Sequence, residues 1–130
     1  MSRGSLGGAV VRLYSQIVNI NELSFLVLTV LADEPQHGYG LLQGIAGLTD
    51  GTVKPQVATL YRTVDRLAAD GLIVEHGTEV VDGRFRRSYR LTETGLTELE
   101  TEAARRATTA RVASKRVKQS RAVGFAGGAA

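Results

Sequence analysis

From Asn21 onward the apolar positions fall into blocks whose spacing changes from helical to alternating and back to helical. Leu23, Leu26, Val27, Val30 and Leu31 recur at intervals of three and four, the stripe of an amphipathic helix. Phe25 and Leu28 make its other side apolar as well, which places this helix at the centre of the fold or between subunits. Asn21 is suited to cap it and Glu22 to its positive end; Pro35, after Asp33 and Glu34, cannot continue it. A second helix is predicted from Gly38 or Tyr39 through Leu41, Leu42, Ile45 and Leu48, with Gly47 as its stop. Thr49-Asp50-Gly51-Thr52 reads as a turn. Val57, Leu60, Tyr61, Val64, Leu67 and Ala68 then mark one face of a third helix, with Pro55 in its first turn and Gly71 as the left-handed residue beyond its end.

The period then changes. Leu72-Ile73-Val74 reads as a strand and residues 85–91 as another, joined by a polar link over 77–83 in which 78–82 form a mobile loop. Alternation along the second strand turns Phe85, Tyr89 and Leu91 inward and Arg84, Arg86 and Arg90 outward, with Arg87 on the inward parity but close to the hairpin end. Thr92 is suited to cap a last long helix that has glutamates in its first turns and cations in its final ones. The predicted fold is mainly α with a small β-hairpin: a winged helix-turn-helix plus a long C-terminal dimerisation helix. On this reading residues 1–19 are a tail or short helix (within 9–18), 20–92 the winged helix-turn-helix, 93–121 the dimerisation helix and 122–130 a disordered tail.

Composition sharpens the picture in two ways. The chain of 130 residues has no cysteine, which removes disulfides, thiolate zinc sites and cysteine nucleophiles and suits a reducing cytoplasm. No apolar run is long enough to span a bilayer, and the first eight residues lack the pattern of a signal peptide, so a cytoplasmic protein with no membrane partner is expected. The net charge of +3 is modest but segregated. Residues 20–53 carry four acids and no Lys or Arg, 54–90 seven cations and five acids, 91–104 four glutamates, and 105–130 seven cations and no acid. Segregated positive charge points to a polyanionic partner.

The third helix presents Gln56, Thr59, Arg62, Thr63 and Arg66 opposite its apolar stripe, short hydrogen bonders interleaved with cations. Such a face matches the donors and acceptors of the DNA major groove, and Lys54, just before it, lies where a phosphate approaches a helix start. An ordinary solvated face has the same composition. The hairpin tips the balance: Arg84, Arg86, Arg87 and Arg90 stand within seven residues beside a small turn, as a wing laid on phosphates or in the minor groove requires. Tyr61 falls on the apolar face, with partial burial and an exposed hydroxyl as its plain reading. His37 and Tyr39 suit capping and packing at a helix start, and His76 a strand surface; two distant histidines without an acidic cluster make no metal site, and no cofactor is expected. No glycine-flanked serine elbow or His-acid pair supports a hydrolase. In the last helix Leu96, Leu99, Ala103, Ala110, Ala113 and Val117 form a heptad-like seam that Arg106 interrupts, read as the dimerisation surface. The cations Arg105, Arg106, Arg111, Lys115, Arg116, Lys118 and Arg121 are read as solvent-facing, with extra contacts to flanking DNA as the alternative.

Three stretches together resemble the PadR family of bacterial regulators. They are His37-Gly38-Tyr39-Gly40-Leu41; Thr59-Leu60-Tyr61 followed by Leu67 and Gly71-Leu72-Ile73; and Arg87-Ser88-Tyr89-Arg90-Leu91-Thr92-Glu93-Thr94-Gly95. The resemblance runs from about Leu23 to Leu99. It implies a homodimeric regulator of transcription that binds double-stranded DNA, usually as a repressor and often released by a small-molecule effector. It also implies that the Tyr61 hydroxyl reaches a phosphate and that the C-terminal helix packs with the partner's N-terminal helix. Lys54 stands where the family often has Ser or Thr, Arg62 where many members have Pro, and Gly40 where an acid is usual, so an operator sequence does not transfer. With no tryptophan and seven Phe and Tyr in all, an effector pocket is expected to be aliphatic, between the first helix and the last. The competing reading is a winged helix that serves as a protein-interaction module without specific DNA binding.

Overall fold

The computed structural model describes residues 20–124. The short helix expected within 9–18 and the end of the C-terminal tail therefore lie outside the described residues. Helix α1 spans Glu22–Asp33, capped as predicted: Asn21 Oδ1 accepts the Ser24 N–H at 2.9 Å. Its Ser24, Leu26, Val27, Leu28, Val30 and Leu31 are buried, and it packs against the second and third helices and the third strand. The all-round apolar pattern thus belongs to a helix enclosed by its own chain.

Beyond Pro35 a two-residue strand, β1 (Gln36–His37), precedes α2 (Gly38–Leu48). This strand has no counterpart in the sequence reading, because two polar residues carry no periodicity. His37 caps α2, its Nδ1 accepting the Gly40 N–H at 3.2 Å. Gly47 lies inside α2, and the helix ends one residue later at Leu48. Thr49 holds the turn that follows: its Oγ1 donates to the Ile45 carbonyl at 2.8 Å and accepts the Val53 N–H at 3.2 Å. Helix α3 spans Val57–Ala69. Gln56 is its N-cap residue, so Pro55 stands one position before the cap and not in the first turn.

The hairpin departs furthest from expectation. Strand β2 runs Ile73–Val81 and β3 Arg84–Leu91, so the residues expected as a mobile loop, 78–82, are almost all strand. The connection is the two-residue turn Asp82-Gly83, both left-handed at φ 52° and 76°, the mirror-image turn whose twist matches antiparallel strands. Pairing runs Ile73↔Leu91 to Val81↔Arg84, with a one-residue irregularity at His76 between Glu75 and Gly77. β1 adds to the other edge of β3, Gln36↔Tyr89 and His37↔Ser88, giving the antiparallel order β1-β3-β2.

The core joins Leu28, Leu41, Ile45, Leu60, Val64, Ile73 and Tyr89. Thr92 closes it. Its Oγ1 donates to the Gly71 carbonyl at 2.7 Å and accepts the Gly95 N–H at 3.0 Å, and its own N–H donates to the Leu72 carbonyl at 3.1 Å. It opens α4, Glu93–Ala122. Packing divides the chain into one unit ending at Leu99 and another beginning at Glu100. In the second unit Glu102 pairs with Arg106 at 2.9 Å and with Arg105 at 3.4 Å, and from Ala103 to Gly124 every residue but Arg106 is exposed. Among the described residues no helix is long and apolar enough to cross a membrane.

Two glycines give opposite expectations. A Cβ on Gly95 would collide with the Leu72 backbone carbonyl, which cannot retreat without breaking the bond to Thr92, whereas a Cβ on Gly47 meets nothing. Gly95→Ala should therefore destabilise by about 1–3 kcal/mol, and Gly47→Ala should stabilise by about 0.5 kcal/mol. Urea unfolding of the two variants beside the parent chain checks both signs.

Candidate nucleic-acid interface

Helix α3 is amphipathic in the strict sense: Leu60, Thr63, Val64 and Leu67 are buried and the opposite side is open. Gln56, Tyr61, Arg62 and Arg66 lie exposed, Thr59 half-exposed, and Lys54 exposed two residues before the cap. Thr63 is a correction. It sits three residues after Leu60 and four before Leu67, within the buried stripe, and is 6% exposed. It faces the core and presents nothing to a ligand. Val57 is a correction in the other direction, 55% exposed although it was expected on the inward stripe. Because the helix starts at Val57, that side chain and Ala58 lie in the first, open turn. The Gln56 cap makes no side-chain hydrogen bond, which leaves its amide free.

Two cations on this helix already have partners. Arg62 Nη2 donates to Thr59 Oγ1 at 3.2 Å, so this pair moves as one on the open face. Arg66 reaches sideways, Nη2 donating at 2.8 Å to the hydroxyl of Ser24, which is buried on α1. Arg66 is exposed, and this bond also tethers α3 to α1.

The wing carries the rest. Alternation along β3 places Arg84, Arg86 and Ser88 on one face and Phe85, Arg87 and Tyr89 on the other. Ser88 is fully buried and donates to Glu79 Oε1 at 2.9 Å, while Tyr89 enters the core. The inward expectation holds for Tyr89 and fails for Phe85, which is 82% exposed: the hairpin is long enough that its distal half has left the core behind. Arg84 and Arg87 are exposed, and Arg87 Nε pairs with Glu75 at 3.0 Å in an open, readily exchanged ion pair.

Helix and wing meet at one place. Gly38, at the start of α2, is buried, and a Cβ there would overlap the Tyr61 hydroxyl, so the phenol lies directly on the glycine. Beside it opens a cleft of about 260 Å³ lined by Gly38, Tyr61 and residues 84–87. Half-buried Arg86 turns its Nε toward the interior, where that nitrogen is buried without a hydrogen-bond partner among the described residues. A buried donor without an acceptor is costly, and the arginines lining the cleft give it the positive charge to hold an anion. Among the described residues no group of three or more His, Asp or Glu is placed to hold a metal ion. The dimerisation set behaves less uniformly than its spacing implied: Leu96, Ala103, Ala110, Ala113 and Val117 are exposed, whereas Leu99 is part of the chain's own core.

A helix-turn-helix followed by an arginine-bearing hairpin, with a third short strand on its inner edge, defines a winged helix-turn-helix protein. The model of the transcriptional regulator PadR-like family matches residues 27–101, more than half of the chain, and the chain belongs to that family. It is 44% identical over 69 residues to the transcriptional regulator Rv3488 of Mycobacterium tuberculosis, a match covering 53% of this chain and 61% of that protein. The chain thus spans less than two thirds of that regulator's length. Among solved structures, a PadR family regulator from Clostridium difficile superposes with a TM-score of 0.64 at 19% identity, over 75% of this chain and 99% of that one. Bacillus subtilis PadR, solved in complex with operator DNA, superposes with a TM-score of 0.57 at 19% identity, over 65% and 48% of the two chains.

The Ser24–Arg66 bond joins α1 to α3. Ser24→Ala and Arg66→Ala should each lower stability by roughly 1 kcal/mol. Together they should cost little more than either alone, and a double-mutant cycle on unfolding free energies reads that coupling directly.

Proposed function

We propose that the chain is a sequence-specific DNA-binding regulator of transcription that acts as a homodimer. The observation that carries this reading is the cleft in which Tyr61 of α3 meets Arg84, Arg86 and Arg87 of the wing. A backbone phosphate is the anion that a helix-and-wing surface would meet there. Gln56, Thr59 and Arg62 then enter the major groove with Val57, whose exposed methyls suit a thymine methyl group. Lys54, Tyr61, Arg84, Arg86 and Arg87 hold phosphates. The family is one of transcriptional regulators, and the operator complex of the Bacillus subtilis neighbour supports DNA as the ligand class.

The finer parts of the proposal rest on different ground. An isolated helix is marginal in water without tertiary cover, so the exposed stretch from Ala103 onward favours pairing with a second copy through Ala103, Ala110, Ala113 and Val117. Residues 20–92 are then the DNA-binding domain and 93–121 the dimerisation helix, with half-sites about one helical turn apart. Repression in the cytoplasm, relieved by a small-molecule effector, follows from the family resemblance alone.

Fluorescence anisotropy with the DNA upstream of its own gene, across a salt series and with unrelated DNA as control, tests the reading. Specific binding with a steep salt slope is expected. Arg86→Ala should weaken binding to both duplexes by about tenfold and reduce the slope by roughly 1, whereas Thr59→Ala should weaken the specific duplex only. Equal, weak binding to both duplexes by the parent chain would leave no more than a basic surface and sink the proposal.

A further inference from the structure

The end of the wing is apolar where a solvated hairpin should be polar. Val80 and Phe85 lie directly opposite one another on the same sheet face, one pair in from the Asp82-Gly83 turn. They are 65% and 82% exposed, and no residue from 78 to 87 is buried. A phenyl ring offers on the order of 150–250 Å² of surface to a partner. The cross-strand pair with Val80 contributes at most about 1 kcal/mol to the hairpin and leaves most of the ring in water.

Charge and continuity identify what covers it. Arg87 shares the sheet face of Phe85 and Arg84 and Arg86 lie on the other face of the same narrow hairpin, and Phe85 lines the same cleft as Tyr61, so the apolar tip is flanked by cations on both sides. A hydrophobic protein partner would bring no anions for three guanidinium groups. The DNA minor groove offers phosphates on both rims and, between them, deoxyribose edges and base steps into which an apolar side chain fits as a wedge. A tip only two residues wide at its turn is narrow enough to enter.

We infer that Phe85, backed by Val80, is a minor-groove wedge that selects operators by the deformability of a base step beside the sequence read by α3. This rests on the DNA-binding reading above and adds to it a specificity determinant that makes no hydrogen bond. The prediction concerns shape: flexible pyrimidine–purine steps should be favoured under the wing because they are the easiest to open.

The test uses a duplex enriched by the full-length parent protein from a random double-stranded pool, with fluorophores at its two ends to report bending. Phe85→Ala should bind this duplex about tenfold more weakly. Its salt slope should be unchanged, because no phosphate contact is lost, and most of the protein-induced bend should disappear. Phe85→Leu should retain both affinity and bend. Loss of the pair with Val80 should cost Phe85→Ala no more than about 1 kcal/mol of stability, so both variants are folded at the temperature of the binding measurement. Should Phe85→Ala bind and bend the duplex like the parent, the wedge is wrong while DNA recognition stands. A fall in salt slope for Phe85→Ala would mean that the ring merely orients the arginines, which also overturns the wedge. If the parent protein enriches no duplex at all, both readings fail.

Discussion

At Gly38 three elements converge with no room for a side chain, and the geometry of the site follows from that close approach. The residue before it, His37, pairs with Ser88 on the wing and caps α2 through its imidazole. Gly38 itself carries the Tyr61 phenol of α3 on its bare Cα. Two successive residues therefore set the spacing between the helix that would read bases and the hairpin that would grip the backbone. Any larger residue at 38 would push Tyr61 outward and open the cleft against which Arg86 is folded. The Arg66 tether to Ser24 adds the second constraint, since a helix held at one point can still roll about its axis. Together the two contacts hold the exposed face of α3 and the wing, whose own residues contribute little to the core.

How much of this was legible in the sequence depends on whether a residue answers to a local pattern or to a distant neighbour. The three helices and their order were readable because Leu26, Leu41, Leu60 and their companions repeat with the helical period and each helix has a punctuating Asn, Pro or Gly. The Asn21 and Thr92 caps were readable for the same reason. β1 was not, since its two residues become a strand only through an edge that β3 offers. The wing was foreshortened because Gly77 and Gly83 look like the two ends of a loop, although Asp82-Gly83 is itself a strong hairpin signal and would have given the full length. Phe85 was placed inward on parity alone, and parity says which face a residue takes, never how far the core extends under it.

At the site the same distinction separates Thr59 from Thr63 and Arg62 from Arg66. Each pair is chemically matched and lies within one helix, yet one member is open while the other is buried or tied to α1. Composition cannot tell them apart, because residues four apart on α3 differ by only about 40° in azimuth, and what separates them is the neighbour each meets on the rest of the fold. The shift of the helix start from Pro55 to Val57 leaves Val57 in the first turn, where it is exposed although it shares the spacing of the buried stripe. The Arg86 cleft lay wholly beyond sequence reasoning, for it needs residues of α2, α3 and β3 at once.

The irregularity at His76 reaches further than its size. One extra residue in β2 reverses the alternation beyond it, so that Glu75 opposes Tyr89 while Gly77 already opposes Ser88. The half of the hairpin that enters the core and the half that leaves it are thereby phased independently. Nothing from residue 78 to 87 is buried, so the outer half is held by its turn, by the Ser88–Glu79 bond and by the cleft beside Tyr61 and not by the core. Selection can rewrite the part that meets a ligand without re-optimising the part that folds, and a lineage of such proteins is free to change targets while keeping one scaffold.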